Sequence, residues 1–276
     1  MSAASMQGAS RDSFAAARET LGTVVRSGDA DLAALGEDLF HLTGLLDVEG
    51  PLRRALTDPS RSGEDRAALA RAVVGERVGG EALDVLVWAV RARWSAPRDL
   101  PDALELLAVD ALVAAADQAE RLDAVEDELF RMGRIVAATP DLRAALSDAS
   151  APLTSRAALV EGLLEGRVAV ETRALIRQGV VAPRGRTFER IMTEYGRVAA
   201  QRRSELVATV TASVPLTEEQ RSRLGAALAR IYGHDVHLNI DVDPSIVGGI
   251  RVAIGDEVID GSVVARLDDA RRRLVG

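Results

Sequence analysis

Over roughly the first 200 residues, apolar positions recur at spacings of three and four, the period of an amphipathic helix. Leu32, Leu35, Leu39, Leu42 and Leu46 form one such stripe, with Asp31 placed to cap its start and Gly50-Pro51 placed to stop it. Phe14, Leu21, Val24 and Val25 form an earlier stripe, and Leu83, Leu86, Val87 and Val90 a later one that runs out near Trp94 and Pro97. Strand-like alternation is absent from this region. A further helix is expected from about Thr187 to Arg203, with Phe188, Ile191, Met192, Tyr195 and Val198 inward.

The pattern then changes. The β-branched run Leu206–Val214 reads as a strand ended by Pro215. Thr217-Glu218-Glu219-Gln220 is a capping box, in which the first and last side chains each satisfy an orphan N–H of the next helix. That helix carries Leu224, Ala227, Leu228 and Ile231 and stops near Gly233. Val236, Leu238, Ile240 and Val242 alternate with polar residues as a half-buried strand; Ile250, Val252 and Ile254 make another. Gly255-Asp256 fits a hairpin turn before a return strand at Val258-Ile259, and Ser262 fits the cap of a last helix. The expected fold is mainly α with a small α+β C-terminal domain of order β-α-β-β-β-α.

The helical part repeats itself. Pro51–Ser60 (PLRRALTDPS) resembles Asp141–Ser150 (DLRAALSDAS), Arg66–Leu69 (RAAL) matches Arg156–Leu159, and Glu37–Phe40 (EDLF) resembles Asp127–Phe130 (DELF). Leu39 and Leu129, Leu52 and Leu142, Arg66 and Arg156 are each 90 residues apart, so the offset is constant and gapless. Self-similarity at a fixed period marks a duplicated structural unit, and non-helical punctuation such as Asp58/Asp148 and Ser60/Ser150 matches as well. The expected organisation is a helical bundle over 1–98, a second helical unit over 99–185, a connecting helix over 186–203 and an α/β domain over 204–276.

Composition narrows the chemistry. The 276 residues are 47% hydrophobic but only 3% aromatic, so the cores are built of Ala, Leu and Val. The net charge of −8 argues against nucleic acid as a partner. Without Cys there is no disulfide, thiolate nucleophile or Cys-ligated metal, and without Lys there is no Walker lysine or Schiff base. The N-terminus lacks the basic start and apolar stretch of a signal peptide. The longest apolar runs are far short of the roughly 20 residues that cross a bilayer, so direct membrane insertion is not expected.

Candidate chemistry is thin. His234 and His237 fall across a helix end and a strand, where their spacing no longer converges on a metal. Asp241 and Asp243 lie on the polar side of a strand and read as a solvated face. The glycine-rich run from Gly248 to Ser262 lacks GxGxxG and reads as turns and a cap, with Gly248-Gly249 permitting a close approach or bulge. The basic clusters Arg184-Gly185-Arg186 and Arg271–Arg273 read as solvated faces or partner contacts. No catalytic set, metal site or cofactor site is expected.

The C-terminal run from Asp243 to Leu267 resembles the signature of the F-type ATP synthase delta subunit family, the oligomycin-sensitivity-conferring proteins. A double Gly opens a strand, GD-x-x-ID-GS follows, and a helix with Arg-Leu closes it; Gly248, Gly249, Gly255, Asp256, Ile259, Asp260, Gly261, Ser262, Arg266 and Leu267 fill those places. The departure is length, and the chain is similar to actinobacterial members with a duplicated helical domain. The resemblance implies a non-catalytic stator on the cytoplasmic face of the cell membrane. It would link the N-terminal helices of alpha subunits in the catalytic head to the peripheral-stalk b subunit. The alternative is a helical adaptor outside the synthase. Phe14, Leu21, Val25, Leu83, Leu86 and Val90, in the first helical copy, are the expected lining of a partner-helix groove. If Ser262 caps the last helix, Ser262→Ala costs about 1 kcal/mol in denaturant melts. Gly255→Val costs more if Gly255 holds a positive φ.

Overall fold

A computed structural model describes residues 6–148, 150–205, 207–232, 236–243, 248–254 and 257–260. The chain divides between Ala199 and Ala200 into two compact units. Gly255, Asp256, Gly261, Ser262, Arg266, Leu267 and the expected last helix lie outside the described residues, as do His234 and Arg271–Arg273.

The first unit is helical: α1 (Ala9–Ser27), α2 (Leu32–Val48), α3 (Gly50–Leu56), α4 (Gly63–Val74), α5 (Gly80–Arg91), α6 (Asp99–Gln118), α7 (Leu122–Ala138), α8 (Pro140–Ser147), α9 (Leu153–Leu164), α10 (Val170–Val181) and α11 (Phe188–Glu205). The starts of α1 and α6, of α2 and α7, of α3 and α8, of α4 and α9, and of α5 and α10 are each 90 residues apart. The leucine stripe of α2 is buried throughout, and Asp31 Oδ1 accepts from the N–H groups of Ala33 and Ala34 at 3.1 and 3.0 Å, as an N-cap should. Pro51 stands in the first turn of α3, where its missing N–H costs nothing.

The repeated motifs do the same work twice. Asp58 accepts from the N–H and hydroxyl of Ser60, and Asp148 accepts the same pair from Ser150, so each turn is tied by its own side chains. Those bonds, from hydroxyl and then backbone, hold both carboxyls below the ordinary range. Arg66 is buried and donates to the carbonyls of Val90, Arg91 and Ala92, satisfying the exposed C-terminal end of α5. Its counterpart Arg156 reaches the Val180 carbonyl at the end of α10. Asp38 accepts from the Gly79 N–H before α5, and Glu128 from the Ala169 N–H before α10.

Helix α6 joins the two halves. Of its 20 residues only Asp110, Ala115, Asp117 and Gln118 are not buried. A helix buried on nearly every side sits inside a core, and α1, α2 and α5 of the first repeat pack on it together with α7 and α10 of the second. It therefore closes the first bundle and opens the second. The closest approach is to α2. A Cβ added at Gly36 would fall 2.6 Å from Leu112 Cγ and 3.1 Å from the Ala108 carbonyl.

The second unit is a four-stranded sheet of order β2-β1-β3-β4, with β1 at Val207–Ala212, β2 at His237–Val242, β3 at Ile250–Ile254 and β4 at Glu257–Asp260. β1 pairs parallel with β2 and antiparallel with β3; β3 and β4 form an antiparallel hairpin. Parallel neighbours need a crossover, and α12 (Glu218–Tyr232) supplies it. Leu228 packs with Ala208, Val210, Val252 and Ile254 to form the core. The capping box is formed as read: Gln220 N–H donates to Thr217 Oγ1 at 3.3 Å and Thr217 N–H to Gln220 Oε1 at 2.9 Å.

Two glycines on α2 separate packing from propensity. Gly36→Ala is expected to lose about 1–3 kcal/mol in urea titration, because the added methyl overpacks the α2–α6 contact. Gly44→Ala meets nothing within 4 Å. It is expected to gain up to about 1 kcal/mol from helix propensity.

Candidate functional site

Residues 182–187 carry the loop from α10 to α11, where a solvated face or a partner contact is expected from sequence. The structure corrects that expectation. The Arg184 and Arg186 side chains are only 6% and 7% exposed. Arg184 has φ 54° and Gly185 φ 77°, two successive left-handed residues that reverse the chain between the two arginines. Such a φ is unfavourable for a non-glycine residue by about 1–2 kcal/mol, and the ion pairs offset it.

Those pairs converge on α6. Arg184 Nη1 donates to Glu105 Oε2 at 2.8 Å and to the Pro101 carbonyl at 3.2 Å; a second guanidinium nitrogen pairs with Asp102, and Nε lies 2.8 Å from Asp47 Oδ2 on α2. Arg186 pairs with the other oxygen of Glu105 and, at 3.0 Å, with Glu194 on α11, which also holds Arg190 at 3.0 Å. Tyr195, fully buried on α11, donates its hydroxyl to Glu105 Oε1 at 2.7 Å. One carboxylate on α6 thus receives two guanidinium groups and a phenol. Four carboxylates, Asp47, Asp102, Glu105 and Glu194, face three arginines, so the charges nearly cancel where solvation is lost.

The electrostatics follow the burial. Desolvation raises the Asp102 carboxyl, with Arg184 opposing it. Desolvation also acts on Glu194, but hydrogen bonds from Arg190 and Arg186 outweigh it and hold that carboxyl below its ordinary value. Burial, then the Glu105 charge and its hydrogen bond, push the Tyr195 phenol well above 10. This is a clasp in which charged groups of α2, α6, α11 and the 182–187 loop face one another, with Asp47 Oδ1 and Arg184 Nε left without a hydrogen bond. The described residues contain no cluster of three potential metal ligands.

The expected groove residues fare unevenly. Leu21, Leu86 and Val90 are core residues, closed off by the packing of α1 on α5 and α6, so they line no open groove in this chain. Phe14, Val25 and Leu83 are half-buried. Open apolar surface lies elsewhere. A cleft of about 1160 Å³ runs between α2 and the α9–α10 pair, with Val48, Leu153 and Val170 among its lining residues. Phe130, Ile135, Leu159 and Leu163 are exposed on the second repeat.

Of the C-terminal signature, Gly248 and Gly249 enter β3 at φ 70° and 82°, conformations that favour glycine. Ile259 is 40% exposed opposite Val252, and Asp260 pairs with Arg251 in the sheet register. Tyr232 donates its hydroxyl to Glu257 at 2.7 Å, and desolvation with that bond raises the phenol to about 12.

The family model for the ATP synthase delta (OSCP) subunit matches residues 109–274. The chain belongs to that family. It is 51% identical to ATP synthase subunit delta of Streptomyces avermitilis over 267 residues, covering 97% of this chain and 98% of the relative. It is 50% identical to the Streptomyces coelicolor protein and 49% to that of Kineococcus radiotolerans, each over 98% of both chains. A chain of the Toxoplasma gondii mitochondrial ATP synthase hexamer aligns with 61% of this one and 95% of its own at 16% identity and a TM-score of 0.31, too distant to carry an argument. Membership of the delta family makes this a non-catalytic subunit of the synthase. No helix among the described residues is long and apolar enough to cross a membrane.

The clasp has three measurable consequences. Glu105→Gln leaves two buried guanidinium groups short of charge and is expected to cost about 3–5 kcal/mol. Tyr195→Phe removes one hydrogen bond and is expected to cost about 1 kcal/mol. The folded-state pKa of Tyr195 lies above its unfolded value, so its contribution is intact below about pH 10 and lost as pH rises beyond it. Denaturant melts of the parent should therefore weaken from about pH 10 upward, and those of Tyr195→Phe should weaken less.

Proposed function

We propose that this chain is the stator element that ties the catalytic head of the F-type ATP synthase, through alpha-subunit N-terminal helices, to the peripheral-stalk b subunit. The observation that carries the reading is near-full-length identity of about half to proteins named ATP synthase subunit delta. The physical organisation agrees with it. A helical unit with open apolar surface and a separate α/β unit offer two places to grip. A holder needs packing area and rigidity; here the charged groups of the clasp are spent on joining helices.

The duplicated helical domain, with repeats over 1–98 and 99–185, belongs to the same reading. The family match begins at residue 109, so it covers most of the second repeat and the α/β unit and leaves the first repeat as the extension. An adaptor outside the synthase is disfavoured by family membership. The subunit is placed peripherally, on the cytoplasmic face of the membrane, held there by its partners.

The test is uncoupling. In membranes from cells lacking this chain, ATP hydrolysis by the head should persist while ATP-driven proton pumping disappears. Adding back the purified chain should restore pumping. Pumping that survives removal of the chain would overturn the reading.

A further inference from the structure

The cleft between the two repeats has a volume of about 1160 Å³. An α-helix about 10 Å across fills roughly 400 Å³ per turn, so the space takes about three turns of one helix. Small residues on its walls, Ala33 and Gly44 on α2 and Ala157 and Ala174 opposite, allow a helix axis to come close. Three large apolar side chains are left open to solvent there: Val48 at 81%, Leu153 at 52% and Val170 at 54%. An exposed apolar patch of this kind, rimmed by charge, marks an interaction surface.

Two further features define the occupant. Gln178 on α10 lines the cleft, is 93% buried by its 7% exposure, and its Nε2 has no hydrogen-bond partner. A buried donor without an acceptor is costly, and an acceptor from an incoming chain would satisfy it. The rim charges are also unbalanced. Arg173 and Arg177 share the single carboxylate of Glu161, at 3.6 and 3.7 Å, and both are about half exposed. Across the cleft, exposed Glu37 has no ion-pair partner among the described residues.

We propose that the cleft between α2 and the α9–α10 pair is the docking groove for one amphipathic helix of a neighbouring synthase subunit, acidic along the edge that faces Arg173 and Arg177 and basic along the edge that faces Glu37. The proposal rests on the stator reading above and deepens it by giving the grip a position, at the seam that duplication created.

The experiment uses the full chain in assembled synthase. With p-benzoylphenylalanine replacing Val48 or Leu153, irradiation should join the chain to one other subunit. The joined segment should show apolar residues at helical spacing with carboxylates on one flank. Arg173→Glu with Arg177→Glu should lower the yield about tenfold, because rim repulsion replaces attraction. Melting should be unchanged, since both side chains sit at the surface. Synthase that contains the chain at normal stoichiometry but gives no cross-link to another subunit, or an unchanged yield after charge reversal, overturns the groove and leaves the stator reading standing. A parent chain that never enters the synthase overturns both.

Discussion

Helix α6 has almost no exposed face, and the placement of the other helices in the first unit follows from that. An isolated five-helix repeat would leave one side of its bundle open. Here the first helix of the second repeat closes the first bundle, and the same helix opens the next. The repeats are therefore fused through a shared core rather than strung on a linker. A load applied to one bundle passes into the other through packed side chains, which suits a part that resists rotation.

The arginine clasp is what a shared helix requires at its charged end. Asp102 and Glu105 sit on α6 where both bundles exclude water, and their charge has to be met from within. Arg184 and Arg186 meet it from the loop that leaves the second bundle, while Tyr195 and Glu194 bring α11 to the same point. In the equivalent loop of the first bundle, Trp94 and Ala96 stand at the positions that correspond to Arg184 and Arg186. There Ser10 donates to Asp99 at 2.6 Å and accepts from the Ser95 N–H at 2.7 Å. The two closures use different chemistry at corresponding places, so the bundles, though alike in helix order, differ in how they are locked.

The surfaces differ as well. Phe40 in the first repeat is 8% exposed, because α2 packs along α6, whereas its counterpart Phe130 in the second is 63% exposed. The second repeat turns more apolar surface outward than the first. A stator that must be held at several points has a use for such faces.

The amphipathic stripes, the capping box at Thr217–Gln220 and the succession of strands and helix over 207–260 were legible in the sequence, because each depends on residues within a turn or two of one another; the 90-residue repeat was legible because the chain can be compared with itself. The order of the strands in the sheet was not, because pairing joins distant segments. Periodicity reports which face of an element is apolar, and caps report where it ends. Neither reports what the face meets. Leu21, Leu86 and Val90 have the pattern of a groove and the pattern of a core alike, and only packing decided for the core. Arg184-Gly185-Arg186 looks solvated in sequence because its partners on α6, Asp102 and Glu105, lie about 80 residues away. The cleft between the repeats has no sequence signature at all. It arises from the angle at which two similar bundles share one helix, and that is set by the whole fold.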